Sequence, residues 1–457
     1  MKNLLKYTGF GIGALGMDLS YGLFFSFASI YMTDILYFSP AFLLAMSFAA
    51  RVWDGVNDPI MGAIVDSTKS RFGKYRLWMI IGAASNAVVL ALLFTNPGIV
   101  SGPGRVSPWL YTYVAVLYVF WDMTNTMMDI PYWSMVPSLT TDPKQRNIAA
   151  TVPRAFSGLG QLVISVATPV MIPLLGGRRN GDLNAPGFQR WAMLCGVALV
   201  GLVLVAFFST GKIKAVAQAT PSGEKITLRS VIHTLRNNDQ LLVFMLVALL
   251  ANTGWYLVTG LAAYYFERVL GNFQLMSLFG MLVGAGQAAG LVLLPVLTRW
   301  LKRNTVIKIA MGMAAVGYLG MYFFSSVIDI FPLFAVFGVI GMMGVGCSFV
   351  SQTVMLSDIV DYGAFKLGYR SDSVVFSMKG FLQKGAYSLQ SIIMYTVFHF
   401  TGYDGALAVQ PQSAQTGITV MMFLLPPALV LLALWVFRTK YKLDEEMMAQ
   451  VNVWNRE

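Results

Sequence analysis

The chain has 457 residues, of which 56% are hydrophobic and 12% are charged, and its mean hydropathy is +0.64. A soluble domain carries roughly twice that share of charged residues, so the composition leaves almost no room for one and indicates a polytopic helical membrane protein. The net charge of +11 does not indicate a nucleic-acid partner, because most Lys and Arg residues fall in alternate loops and at the two ends. By the positive-inside rule, this asymmetry predicts that both termini are cytoplasmic.

A membrane-spanning helix needs about 20 apolar residues, and the sequence offers twelve such stretches. They predict an all-α fold with two halves of six helices, residues 1–210 and 240–437. A polar cytoplasmic linker at 211–239 separates the halves, and a cytoplasmic tail follows at 438–457. The approximate spans are 9–34, 40–65, 77–97, 109–136, 151–176, 191–210, 240–264, 273–297, 309–327, 331–356, 374–399 and 416–437.

The second predicted span contains two carboxylates. Asp54 and Asp58 are four residues apart, so they share one helix face, with Asn57 beside them and Arg51 one turn earlier. An ionised carboxylate in hydrocarbon is costly and needs a cation, a proton or a buried partner. We therefore predict that this helix carries the ion site of a cation-coupled transporter.

The fourth predicted span carries a second polar stripe, formed by Asp122, Thr126, Asp129 and Trp133 at spacings of four, three and four. An indole over the apolar face of a sugar, with a carboxylate accepting from its hydroxyls, is a sound glycoside site. Trp133 alone is equally typical of an interfacial aromatic residue. Arg154, near the cytoplasmic end of the fifth span, either neutralises a neighbouring acid or is an interface arginine.

The loop after the second span contains Asp66, Arg71, Gly73 and Lys74. This order of acid, glycine turn and basic cluster resembles the loop between the second and third helices of the major facilitator superfamily. There, such residues make cytoplasmic contacts that favour one conformation, so we predict a gating role for these four. A simple positive-inside anchor would account for the basic residues but not for Asp66 and Gly73.

Four motifs together resemble one family, the glycoside–pentoside–hexuronide:cation symporters. They occur in order from the first to the eleventh span, and among the family's members those that carry melibiose match best. The resemblance implies the major facilitator fold and coupled transport of a sugar with Na⁺, Li⁺ or H⁺. The motifs lie at 53–62, 70–74, 129–137 and 358–363.

The resemblance also implies roles for individual residues. The positions that match cation ligands are Asp54, Asn57, Asp58 and Thr126, with the two carboxylates holding only a monovalent cation. The positions that match sugar contacts are Asp18, Asp129, Trp133 and Arg154, and Lys384 matches a lysine near both sites.

The chain departs from the melibiose-carrying members at three positions. Those members have a lysine where this chain has Met17, and a glutamine and a threonine where it has Lys379 and Gly380. A pocket with different polar groups should prefer a different sugar. Lys379, which we include among the substrate residues, fits an anionic substrate such as a glucuronide, and it equally fits replacement of the charge missing at position 17.

Among the nine charged groups that we place in the membrane, acids outnumber bases by one, an excess that one monovalent cation would neutralise. Because the acids lie in the first half and both lysines in the second, we expect the site between the halves, near mid-membrane. We expect a functional monomer in the bacterial inner membrane, with no cofactor besides the coupling ion and with sugar, cation and lipid bilayer as partners. The groups counted are Asp18, Asp54, Asp58, Asp122 and Asp129 against Arg51, Arg154, Lys379 and Lys384.

Three other functions fit parts of the pattern. A lysolipid carrier on the same fold would need an apolar pocket, which the charged stripes oppose, and a non-transporting sugar sensor usually needs an extramembrane output segment. An intramembrane enzyme could use paired aspartates as acid and base, but would need a polar path and a split pKa pair. The sequence has only two His residues, His233 and His399, and no metal-ligand cluster, so we expect no enzyme.

Overall fold

The computed structural model describes residues 2–99, 101–103, 105–136, 139–140, 143–177, 183–210, 234–325, 331–368 and 372–454. Residues 211–233, which make up most of the predicted linker, lie outside this part of the chain. The described residues form helices, turns and loops and contain no strand. The predicted all-α fold is confirmed.

Twelve long helices occur in the described part of the chain. A short helix, α13 (Glu445–Trp454), follows them. The helix that begins at Lys2 continues to Ile35 in a π-helical turn, and the helix that begins at Asp239 continues to Val269. The helix that begins at Gln412 contains a π-helical turn at Val420–Leu424. The long helices are α1 (Lys2–Ile30), α2 (Pro40–Ser67), α3 (Lys74–Leu93), α4 (Pro108–Met135), α5 (Pro143–Leu175), α6 (Ala185–Ser209), α7 (Asp239–Gly260), α8 (Leu275–Trp300), α9 (Arg303–Phe323), α10 (Phe331–Leu367), α11 (Asp372–Thr401) and α12 (Gln412–Lys440).

Nine of these helices, as far as they are described, are long and apolar enough to cross a membrane. The other three are α2, α4 and α11, which carry the polar stripes and the two lysines singled out in the sequence.

Local sequence signals define several helix starts. Proline occupies the first turn of α2, α4 and α6, where its missing N–H is not needed. The side chains of Ser39, Asn184 and Asn238 accept hydrogen bonds from backbone N–H groups in the first turns of α2, α6 and α7, which satisfies donors that the helix leaves unpaired.

The chain divides into two compact units. Unit 1 comprises the described residues of 1–222, 266–280 and 398–411, and unit 2 those of 223–265, 281–397 and 412–457. In unit 1, α1 packs against α5 and α6, and α3 packs against α4 and α6. In unit 2, α9 packs against α10 and α12, and α12 packs against α7.

The core of unit 1 combines apolar packing with buried hydrogen bonds. The rings of Phe10 and Tyr132 stack with centroids 4.2 Å apart, and the Tyr132 hydroxyl donates to the Phe10 carbonyl oxygen at 2.7 Å. This contact joins α1 to α4 and satisfies a phenol that would otherwise be costly to bury.

A fully buried polar network joins α1, α3 and α4. Ser20 Oγ donates to Asn86 Oδ1 at 2.6 Å, while Asn86 Nδ2 donates to the Trp121 carbonyl at 3.3 Å and to Thr124 Oγ1 at 3.1 Å. Trp121 Nε1 donates to Ser20 Oγ at 3.4 Å. Asn86 therefore has a partner on both neighbouring helices.

We predict that Asn86→Leu destabilises the protein by about 2 kcal/mol, because it leaves buried partners on two helices without their amide. Thermal unfolding in detergent measures the effect as a lower Tm. Ser85→Ala is the matched control, since the Ser85 hydroxyl donates to carbonyls of its own helix. Equal Tm values for the two variants would contradict a structural role for the network.

Candidate functional site

The first carboxylate of α2 is held by an arginine on the same helix. Arg51 Nη1 lies 2.5 Å from Asp54 Oδ2, as their spacing of three residues allows. The Asp54 side chain is only 7% exposed. In this structure the Arg51 guanidinium therefore supplies a positive charge at Asp54.

The second carboxylate of α2 faces α4. Thr126 Oγ1 donates to Asp58 Oδ1 at 3.2 Å, and Asn57 Nδ2 donates to Asp122 Oδ2 at 3.4 Å. The structure thus places all four predicted cation ligands in one region, where α2 packs against α4. The structure also places Asp122 in this region. The sequence analysis included Asp122 in the polar stripe of the fourth span but not among the predicted cation ligands.

This region consists of oxygen ligands, with three carboxylates accompanied by one arginine, Arg51. In the described part of the chain, no group of three or more His, Cys, Asp or Glu side chains could hold a metal ion. Carboxylates from Asp54 and Asp58 are accompanied instead by a neutral amide and a hydroxyl from Asn57 and Thr126. Oxygen ligands of this kind suit hard cations such as alkali ions.

The polar stripe of α4 continues one turn beyond Thr126. Trp133 Nε1 donates to Asp129 Oδ1 at 2.9 Å, and the Arg154 guanidinium carbon lies 3.9 Å from the centroid of the Trp133 ring. The indole therefore orients a carboxylate through its N–H and binds a cation on one ring face. Arg154 is exposed.

Asp18 belongs to the same cluster. Ser157 Oγ donates to Asp18 Oδ2 at 2.6 Å, and the Asp18 carboxylate interacts electrostatically with Asp129 and Arg154. The structure therefore brings together four predicted sugar contacts, Asp18, Asp129, Trp133 and Arg154, within unit 1. Sequence reasoning missed Ser157, although it lies three residues after Arg154 on the same face of α5.

The two predicted lysines lie on α11 in unit 2. Lys379 Nζ donates to Thr353 Oγ1 of α10 at 2.7 Å. Lys384 is half-buried, and its backbone carbonyl accepts from Ser388 Oγ at 2.8 Å. Lys379 thus reaches a hydroxyl on the neighbouring helix.

The predicted gating residues lie between the end of α2 and the start of α3. Gly73 precedes the helix with φ of +89°, a conformation that strongly favours glycine. The Arg71 guanidinium packs 4.7 Å from the Phe72 ring centroid, and Lys74 Nζ lies 4.8 Å from that of Tyr75. The side chain of Asp66 lies outside the described residues.

A further charged cluster, which sequence reasoning missed, lies at the end of α1. We call it the Asp34 cluster; it contains Thr33, Asp34, Arg268 and Tyr403. Arg268 Nε donates to Asp34 Oδ2 at 2.6 Å, while Thr33 Oγ1 and the Tyr403 hydroxyl each donate to Asp34 Oδ1 at 2.7 Å. The Asp34 side chain is 1% exposed.

Two further contacts strengthen this cluster. Arg268 also donates to the carbonyls of Gly405 and Leu407, at 3.4 and 3.2 Å. Burial and the neighbouring Asp34 carboxylate raise the pKa of Tyr403 well above its usual range, so its hydroxyl keeps its proton and donates. The cluster therefore fixes the end of α1 to two distant segments of the chain.

Comparison with known proteins identifies the family. A family model described as MFS/sugar transport protein matches residues 9–445, which is nearly the whole chain. The chain belongs to this family. The resemblance to the glycoside–pentoside–hexuronide symporters is confirmed, and so are the expectations of a multi-pass membrane transporter and of no enzyme.

Individual relatives agree with this assignment. The lactose permease of Lactobacillus delbrueckii subsp. bulgaricus is 27% identical over 98% of this chain and 72% of its own length. The raffinose carrier protein of Pediococcus pentosaceus is 25% identical over 97% of this chain and 70% of its own length. Among solved structures, the nucleoside transporter NupG matches 96% of this chain and 99% of its own, with a TM-score of 0.64 at 14% identity, and so shares the fold.

We predict that Ser157→Ala weakens sugar binding, because the Asp18 carboxylate loses the hydroxyl that orients it. Loss of one hydrogen bond of about 1 kcal/mol raises the half-saturating sugar concentration about fivefold, with a smaller effect on the maximal rate. Uptake kinetics measure both. Ser157→Thr should retain the wild-type values.

Ser165→Ala is the control for this variant. The Ser165 hydroxyl donates to the Gln161 carbonyl of its own helix at 2.9 Å, so its loss should leave sugar affinity unchanged. If Ser157→Ala and Ser165→Ala behaved alike, Ser157 would have no positioning role.

Proposed function

We propose that this chain is a symporter that couples a monovalent cation (Na⁺, Li⁺ or H⁺) to the transport of a sugar or glycoside by alternating access. The observation that carries the proposal is the arrangement on α4. Thr126 donates to Asp58 on the cation side, and Asp129 accepts from Trp133 on the sugar side. Three residues along a helix span about 4.5 Å, so the two clusters share one turn.

The cation step involves the α2 carboxylates. We assign the cation to Asp54 and Asp58, with Asn57 and Thr126 supplying neutral oxygens. The Arg51 guanidinium bonded to Asp54 competes with an arriving cation, because both neutralise the same carboxylate. Cation entry then frees Arg51 and changes the charge distribution next to Asp58.

The sugar step uses the second cluster. Ser157 and the Trp133 indole each donate to one oxygen of a carboxylate, Asp18 and Asp129 respectively, and so fix the orientation in which these carboxylates accept from a sugar hydroxyl. Arg154 supplies donors from the stacked position above Trp133. A sugar ring that stacks on Trp133 uses the opposite face or displaces Arg154.

Coupling between the steps follows from linkage. If the bound cation raises sugar affinity, the bound sugar raises cation affinity by the same factor. The shared turn of α4 provides the physical connection, because a shift that improves the Thr126 contact also moves Asp129.

Alternating access requires contacts that break when one side opens. The Asp34 cluster is suited to hold the outer side closed, because it fixes the end of α1 to Arg268 and to Tyr403. With the N-terminus cytoplasmic, as we infer from the charge pattern, this end of α1 faces outward. On the cytoplasmic side, we assign the corresponding role to Asp66, Arg71, Gly73 and Lys74.

Uptake of labelled galactosides, glucuronides and pentosides, with Na⁺, Li⁺ or a pH step as the only variable, tests the proposal. We expect accumulation that depends on one cation and disappears in Asp58→Asn, because the variant loses a charged ligand. Thr126→Val should raise the half-saturating cation concentration, and Thr126→Ser should restore it. Glu446→Gln, an exposed acid on α13, is the control.

The outcomes separate the alternatives. Unchanged cation-dependent accumulation in Asp58→Asn would refute the role of that residue. Equilibration without cation dependence would indicate a facilitator, and no uptake of any glycoside would favour the lipid carrier or the sensor.

Two roles of Lys379 predict different results in a competition assay. If Lys379 binds a substrate carboxylate, Lys379→Gln should weaken inhibition by glucuronides about tenfold, or about 1.4 kcal/mol, and leave inhibition by galactosides unchanged. If Lys379 only replaces the charge missing at position 17, the variant should weaken both classes equally. Strong inhibition of the wild type by galactosides alone would exclude the anionic substrate.

A further inference from the structure

Unit 2 contains a small cavity between α7, α9, α10 and α12. It offers about 20 Å³ to the centre of a water-sized molecule. Its walls include Asn252 and Trp255 of α7, Tyr318 of α9 and Gln352 of α10. None of these residues belongs to the transport site proposed above.

Two polar atoms of residues that line this cavity are buried without a hydrogen-bond partner among the described residues. They are the Tyr318 hydroxyl and Trp255 Nε1. The Tyr318 side chain is 0% exposed. Leaving a buried donor unsatisfied costs about 1–3 kcal/mol, so two such donors on the residues of one cavity indicate a partner that the described residues do not supply.

The same cavity also presents acceptors. Asn252 and Gln352 pair reciprocally, with Gln352 Nε2 donating to Asn252 Oδ1 at 3.1 Å and Asn252 Nδ2 donating to Gln352 Oε1 at 3.4 Å. Each amide oxygen has a second lone pair. The residues of the wall therefore carry two donors without a partner among the described residues and two amide oxygens that can each accept once more.

We propose that this cavity binds one ordered water molecule. A water accepts two hydrogen bonds and donates two, which matches the Tyr318 and Trp255 donors and the two amide oxygens. The volume agrees, because the cavity offers about 20 Å³ to the centre of a water-sized molecule alone, and one water fills only about 10–15 Å³. Drug-sized ligands need pockets of about 300 Å³ or more, so the space is far too small for a sugar ring.

The water connects three helices. Through it, Tyr318 of α9 is joined to the amide pair that links α7 and α10. This role concerns the assembly of unit 2, and it stands whether or not the chain couples sugar to a cation.

The variant Tyr318→Phe tests the proposal, because the proposal predicts whether the Tm falls or rises. If the hydroxyl bonds to a water, Tyr318→Phe removes a satisfied bond and lowers the Tm in detergent by roughly 2–4 °C. If the cavity is dry, the variant removes an unsatisfied hydroxyl, and the Tm stays the same or rises. Either of these last results would overturn the proposal.

Tyr31→Phe is the matched control. Tyr31 is also 0% exposed, and its hydroxyl has no hydrogen-bond partner among the described residues, but it lies outside this cavity. We expect its replacement to leave the Tm unchanged or raise it. A density map of the wild type decides the question if the tyrosine variant does not fold.

A high-resolution density map gives an independent measurement. We expect a peak within hydrogen-bond distance of Tyr318 Oη in the wild type and its loss in Tyr318→Phe. A map that shows other buried waters but none at this position would overturn the proposal.

Discussion

A carboxylate inside a bundle of membrane-spanning helices must be compensated, because hydrocarbon and buried protein solvate charge poorly. The acids of unit 1 meet this requirement with partners that differ in charge and in distance along the chain. Asp54 has an arginine on its own helix, whereas Asp58 has a hydroxyl on another helix. The remaining partners are Ser157 for Asp18, Arg268 for Asp34 and Trp133 for Asp129.

These pairings also determine which helices are held together. The Asp18–Ser157 bond joins α1 to α5, and the bonds of Asn57 and Asp58 join α2 to α4. Exposing such a polar side chain to lipid would cost free energy. Between two helices, the same side chain instead forms a hydrogen bond that holds the helices together. For this reason we regard the charged stripes as both binding groups and structural contacts.

The helical architecture was predictable because it depends on local properties. A run of about 20 apolar residues predicts a helix wherever it occurs, and the spacing of Asp122, Thr126, Asp129 and Trp133 already placed them on one face. Helix ends were less predictable. α5 begins at Pro143 and contains Pro153 in its interior, although the sequence suggested a span that opens near Pro153, because apolarity marks the membrane core and not the helix end.

Hydrogen bonds and ion pairs between residues far apart in the sequence could not be predicted in the same way. The ion pair of Arg51 and Asp54 follows from their spacing, but Ser157 and Asp18 are 139 residues apart and meet only because α1 packs on α5. Asp34 carried no signal, since its charge lies at the end of a predicted span, where acids are ordinary. The division into halves and the assignment of ligands remain predictions.

The separation of the Asp34 cluster along the chain has a consequence for biosynthesis. Asp34 emerges early, while Arg268 and Tyr403 follow 234 and 369 residues later. The carboxylate at the end of the first helix therefore lacks its arginine until residue 268 has been synthesised, and it lacks its phenol until residue 403 has been synthesised. The contacts of the Asp34 cluster can be completed only after Tyr403 has been synthesised.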